Sequence, residues 1–88
     1  MPRYIIERDV PGLTPEQLEQ AGRMSNAVLD GMPEVRWIRS YVSSAEGKIY
    51  CEYDAPSIEL ILEHARRAGL PANRVSEVSM EISPAMFR

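Results

Sequence analysis

The stretch WIRSYVSSAEGKIYCEYDAP, Trp37 to Pro56, decides the fold. Trp37–Val42 and Lys48–Tyr53 are rich in aromatic and β-branched residues, which suit a pleated, half-buried surface. Between them Ser43, Ser44, Ala45, Glu46 and Gly47 make a polar connection, and Gly47 is free to take a positive φ. Two strands joined by a short turn form a central hairpin.

Outward from it, the chain offers one strand and one helix on each side. Upstream, RYIIERDV (Arg3–Val10) is a strand with Tyr4, Ile5 and Ile6 at its centre, ended by Pro11 and Gly12. Thr14-Pro15-Glu16-Gln17 then opens a helix: Thr14 caps, Pro15 suits the first helical position, and Gln17 sits where a capping box needs Glu or Gln. Leu18, Ala21, Ser25, Val28 and Leu29 follow at helical spacing, with Gly22 beside them positioned for close approach to a sheet. Asp30-Gly31-Met32-Pro33 ends this helix. Downstream, Asp54-Ala55-Pro56-Ser57 opens a second helix to about Ala68, with Ile58, Ile61, Leu62 and Ala65 directed inward. Arg66 and Arg67 suit its last turn, Gly69 stops it and Pro71 prevents its resumption. Val75–Ile82 ends in alternation, with Val78, Met80 and Ile82 on one face, and predicts a last strand.

The order β-α-β-β-α-β is the ferredoxin-like α+β pattern: a four-stranded antiparallel sheet with both helices on one face. All 88 residues fit one domain (1–88) near the lower size limit for a single core, and such chains commonly gain stability as dimers. A net charge of −3 and a pI near 5.1, with arginines interleaved among acids, argue against nucleic-acid binding. The lone Cys51 cannot form an internal disulfide, and no apolar run approaches membrane-spanning length. A soluble cytoplasmic protein with no membrane partner is the expectation.

Parity along the hairpin assigns Ile38, Ser40, Val42, Ile49, Cys51 and Tyr53 to the helix-covered face. Trp37, Arg39, Tyr41, Tyr50 and Glu52 fall on the other. An open face bearing three large aromatics invites a second copy, giving a homodimeric α/β barrel with Trp37, Tyr41, Tyr50 and Arg39 lining a space for a small-molecule ligand. The same aromatics serve equally as interface anchors. The first strand has two possible phases. With Ile6 toward the helices, Ile5 and Glu7 line the second face; with Ile5 toward them, Glu7 lies wet near a strand end.

Among groups with chemistry, His64 is the only histidine and sits on a shoulder of the second helix's apolar stripe. A lone histidine is ordinarily a partly buried residue making one hydrogen bond. Cys51 lies ~10 Å back along its strand from Asp54, and His64 ~12 Å down the returning helix. An imidazole–thiolate pair at similar depth would suit nickel, copper or zinc; otherwise Cys51 is a small buried hydrophobe. Glu7 and Glu52 supply carboxylates from strands. No HExxH, CxxC, P-loop or dinucleotide fingerprint occurs, and no constellation activates a nucleophile.

The blocks WIRSYV (Trp37–Val42), KIYCEYDAP (Lys48–Pro56) and HARRAGLPANRVSEV (His64–Val78), with the opening YIIERDVPGLTPEQL (Tyr4–Leu18), resemble a family of small bacterial ferredoxin-like proteins described as nickel-binding. The resemblance spans nearly the whole chain. It implies a dimeric ferredoxin-like fold and divalent-metal binding, nickel being the family's metal. His64 and Cys51 match positions in those blocks, so the expected ligands are His64 first, then Cys51 and one of Glu7 or Glu52. The alternative function is a dimeric α/β-barrel enzyme, of cofactor-independent monooxygenase or isomerase type, with Glu7 or Glu52 as base against Trp37, Tyr41 and Tyr50. A third is a binding module with no metal and no chemistry.

Overall fold

A computed structural model describes every residue from Met1 to Arg88. Its elements run β1 (Arg3–Asp9), α1 (Pro15–Leu29), β2 (Arg36–Ser43), β3 (Lys48–Asp54), α2 (Ile58–Ala68), β4 (Arg74–Glu77) and a 3₁₀ turn at Pro84–Phe87. The four strands form one antiparallel sheet in the order β2-β3-β1-β4. This is the ferredoxin-like βαββαβ fold, and the two helices share one face of the sheet.

Local chemistry sets the boundaries. The Thr14 hydroxyl accepts from the Gln17 N–H at 3.1 Å while the Gln17 side chain accepts from the Thr14 N–H at 2.9 Å, a complete capping box ahead of Pro15. Ser57 caps α2 by accepting from the Leu60 N–H. Gly69 ends that helix in the left-handed region at φ 67°. In the hairpin, Gly47 has φ 66°, and a Cβ there would lie 3.1 Å from the Pro11 Cα. Glycine therefore serves both the turn and the close passage of the β1–α1 connection, whose Val10 N–H donates to the Gly47 carbonyl at 2.8 Å.

β1 pairs Tyr4 with Tyr53, Ile6 with Cys51 and Arg8 with Ile49. Tyr4, Ile6 and Arg8 are buried, so Ile6 faces the helices and Ile5 and Glu7 face away. The core joins Tyr4, Ile6, Ile49, Cys51 and Tyr53 to Met32, Val35, Ala55 and Ile61. Burying a side chain such as Ile61 contributes about 1.5–3 kcal/mol.

Four expectations are corrected. Trp37 lies on the helix-covered face, because Ile38 forms a β-bulge: Trp37 pairs with Tyr53, the next paired residue is Arg39 with Glu52, and Ile38 has no partner. The inward face of α2 is Ile61, His64, Ala65 and Ala68, with Ile58 and Leu62 exposed. Relative to the expected set this is a turn of about 60° at 3.6 residues per helical turn. β4 ends at Glu77, since β1 begins at Arg3 and the last tie is the Val78 N–H to the Arg3 carbonyl at 2.8 Å. Met80 and Ile82 are consequently exposed rather than alternating in a strand. Finally, a Cβ on Gly22 would touch Trp37 only at 4.0 Å, an ordinary contact, so close approach does not require glycine there.

Candidate functional site

Two groups of chemically capable side chains lie on opposite sides of the sheet. Beneath the helices, Tyr53 from β3, Ser25 from α1 and His64 from α2 converge. Each is set there by its own pattern: Tyr53 by strand alternation with Ile49 and Cys51, Ser25 by the α1 stripe, and His64 by spacing with Ile61 and Ala68. His64 is 1 % exposed. Its Nε2 is 3.4 Å from the Ser25 carbonyl and 3.2 Å from the Ser25 hydroxyl, which lies 3.3 Å from the Tyr53 hydroxyl. A ring nitrogen facing a carbonyl must carry the proton to bond it, so Nε2–H donates and the ring's lone pair is on Nδ1. The imidazole tilts against the Tyr53 ring at 5.3 Å between centroids.

Burial holds the His64 pKa below its ordinary value; the Ser25 carbonyl opposes this and the Arg8 charge adds to it. Burial likewise raises the Tyr53 pKa, against Ser25 and Arg8, so the phenol stays protonated. Trp37 stacks on Tyr53 at 6.4 Å and 12°, and its indole N–H donates to the Ser40 hydroxyl at 2.8 Å. Cys51, buried, faces Ile6 and Ser40 on its two neighbouring strands.

Arg8 completes this side. The sequence reading passed over it, yet it follows Tyr4 and Ile6 in strand alternation and is 2 % exposed. Its Nη1 donates to the Pro71 carbonyl at 2.7 Å, and its guanidinium lies 5.9 Å from the Tyr53 ring centre.

The open face is a lattice of ion pairs. Glu52 lies between Arg39 at 3.3 Å and Arg3 at 3.8 Å, and Glu7 between Lys48 at 3.4 Å and Arg74 at 3.9 Å. Arg3 also bonds Asp54 at 2.9 Å, which holds that carboxyl below its usual range. The Tyr50 hydroxyl donates to Glu46 at 2.9 Å, and Tyr41 stands 57 % exposed. Glu63, beside His64 in sequence, points outward to Arg66 and Arg67 and its pKa is lowered to about 2.

The expected site residues are thus divided. His64 and Cys51 lie beneath the helices, Glu7 and Glu52 on the far face, and no three His, Cys, Asp or Glu side chains gather where one ion could be held. Within one chain the donors do not fit a metal shell. The expected aromatic pocket is divided as well: Tyr41, Tyr50 and Arg39 are on the open face and Trp37 is not, so no pocket of all four forms. No helix is long and apolar enough to cross a membrane.

Comparison with known proteins agrees with this architecture. No curated protein matches the sequence at a significant level. Among solved structures, the crystal structure of SCO4226 from Streptomyces coelicolor A3(2) superposes with a TM-score of 0.79 at 28% identity, covering 91% of this chain and 99% of that one. Residues 4–78 match the family model described as nickel responsive protein SCO4226-like. With the match extending from the first strand to just beyond the last, the chain belongs to the SCO4226-like family of nickel responsive proteins.

Proposed function

We propose that this protein is a nickel-responsive, divalent-metal-binding homodimer whose metal shell is shared between protomers. The observation that carries the reading is the family match over residues 4–78. The division of donors supports the shared shell, because one chain gathers too few of them. Of the two groups, Glu7 and Glu52 are the ones a second copy can reach. His64 and Cys51 serve as core residues in this reading. Each of the two carboxylates is already flanked by cations, so a metal ion must displace Arg or Lys, and moderate affinity is expected.

A second copy as the partner is supported by the apolar surface left over. Met80, Ile82, Met86 and Phe87 are exposed on one terminal segment, Phe87 by 72 %, beside a sheet face with no cover. Surface of this kind is what association removes from water.

The test is calorimetric titration of nickel into tag-free, chelator-stripped protein, with sedimentation to fix the assembly. Saturable binding by a dimer, lost in the Glu7→Gln/Glu52→Gln double variant and kept in His64→Gln, is the expected result. Loss in His64→Gln alone, with that variant folded, moves the site beneath the helices. A monomer with no saturable heat overturns the reading.

A further inference from the structure

Arg8 carries a charge that the fold does not neutralise. It is 2 % exposed, it belongs to no ion pair within 4 Å, and its one hydrogen bond is to the neutral Pro71 carbonyl. A buried charge without a counter-ion is costly, and an arginine cannot escape by losing its proton. The titratable groups around it offer no anion: Tyr53 is held protonated and His64 is kept neutral or, if charged, repelled. The neighbouring carboxylates, Glu7 and Asp9, alternate to the other side of β1.

Beside Arg8 lies a cavity of about 100 Å³ between the sheet and α1, walled by Ala21, Ser25, Trp37, Ser40, Cys51 and Tyr53. Val10, Leu13 and Leu18 border both this cavity and a wider groove running along the hairpin turn past Lys48. The cavity's hydroxyls are already engaged: Ser40 by Trp37, and Ser25 with Tyr53 and His64. Arg8 is the one charged residue lining an otherwise apolar space.

We infer that this cavity binds a small monocarboxylate with a short, compact hydrocarbon body, its carboxylate paired with Arg8. The planar fork matches a carboxylate in geometry. Multiply charged oxyanions need more donors than Arg8 alone supplies. The volume is below the ~150 Å³ that accommodates benzene in an apolar cavity, which limits the body to a few carbons. This site is independent of the metal reading and lies on the other side of the sheet.

Trp37 is the only tryptophan and lines the cavity, so its emission reports occupancy directly. The experiment titrates tag-free protein with isovalerate, with isovaleramide of the same shape but no charge, and with inorganic phosphate. A saturable change of Trp37 emission by isovalerate, with the amide weaker by about tenfold or more, is expected for a charge-assisted contact. Arg8→Met should abolish the preference for the acid. Ala21→Leu, which fills the cavity while leaving Arg8 in place, should abolish the response to both, and it decides the matter if Arg8→Met does not fold. Silence toward isovalerate, equal response to acid and amide, equal binding of phosphate, or undiminished binding by Ala21→Leu each overturns the proposal.

Discussion

The two faces of this sheet carry similar residue types and put them to opposite uses. Both present arginine, tyrosine and ionisable groups. On the open face Glu7, Glu52 and Asp54 each meet a cation, the pairs are partly wet, and Tyr41 reaches into solvent. On the covered face a single arginine meets a carbonyl, a single histidine meets a serine, and the aromatics stack on each other. Residue type therefore does not separate the two faces. Removal from water does, because a buried polar group has few alternatives to its partner.

The largest break in this comparison comes from the tyrosines. Tyr53→Ala should cost about 3–5 kcal/mol, as expected for a large buried ring. Tyr50→Ala, on the opposite face of the same strand, should cost less than about 1 kcal/mol. Urea denaturation at one fixed protein concentration measures both, and equal costs would abolish the distinction. Ser25→Ala comes next. It takes the hydroxyl from both His64 and Tyr53 and should cost about 1–3 kcal/mol in the same assay.

The smallest effect sharpens the contrast through pH. The folded-state pKa of His64 lies below its ordinary value of 6.5. Above pH 6.5 neither folded nor unfolded chains protonate it, and stability is undiminished. As the pH falls from there toward the lower folded pKa, the unfolded chain takes up the proton first and stability declines. Denaturation midpoints on either side of pH 6.5 should show this slope, and His64→Gln should remove it. The open-face carboxylate Asp54 contributes only at more acid pH, because its folded pKa is lowered: its stabilisation is present above the unfolded carboxylate pKa and is lost as pH falls through the folded one.

Much of this was legible in the sequence. Thr14-Pro15-Glu16-Gln17, Gly47, Ser57 and Gly69 each act where local chemistry places them, because caps and turns are decided within a few residues. The face assignments of Ser40, Cys51, Tyr53, Arg39, Tyr41 and Tyr50 follow from alternation and hold. Trp37 escaped because a bulge leaves no mark in composition. The phase of β1 waited on its pairing, since adjacent isoleucines fit either side. Arg8 was missed for a related reason: alternation from Ile6 places it inside, but charge argues for water. His64 looked like a shoulder residue because only the fold brings Ser25 from 39 positions away to receive it.

The unpaired Ile38 makes β2 behave as two half-strands with independent phase. Removing that one residue would place Trp37 directly before Arg39, and because the two already face opposite sides, plain alternation would keep the indole covered and the Arg39 guanidinium open. Length variation among homologous chains should therefore be tolerated at this point, where one residue fewer alters no face, as well as in the Ser43–Gly47 turn.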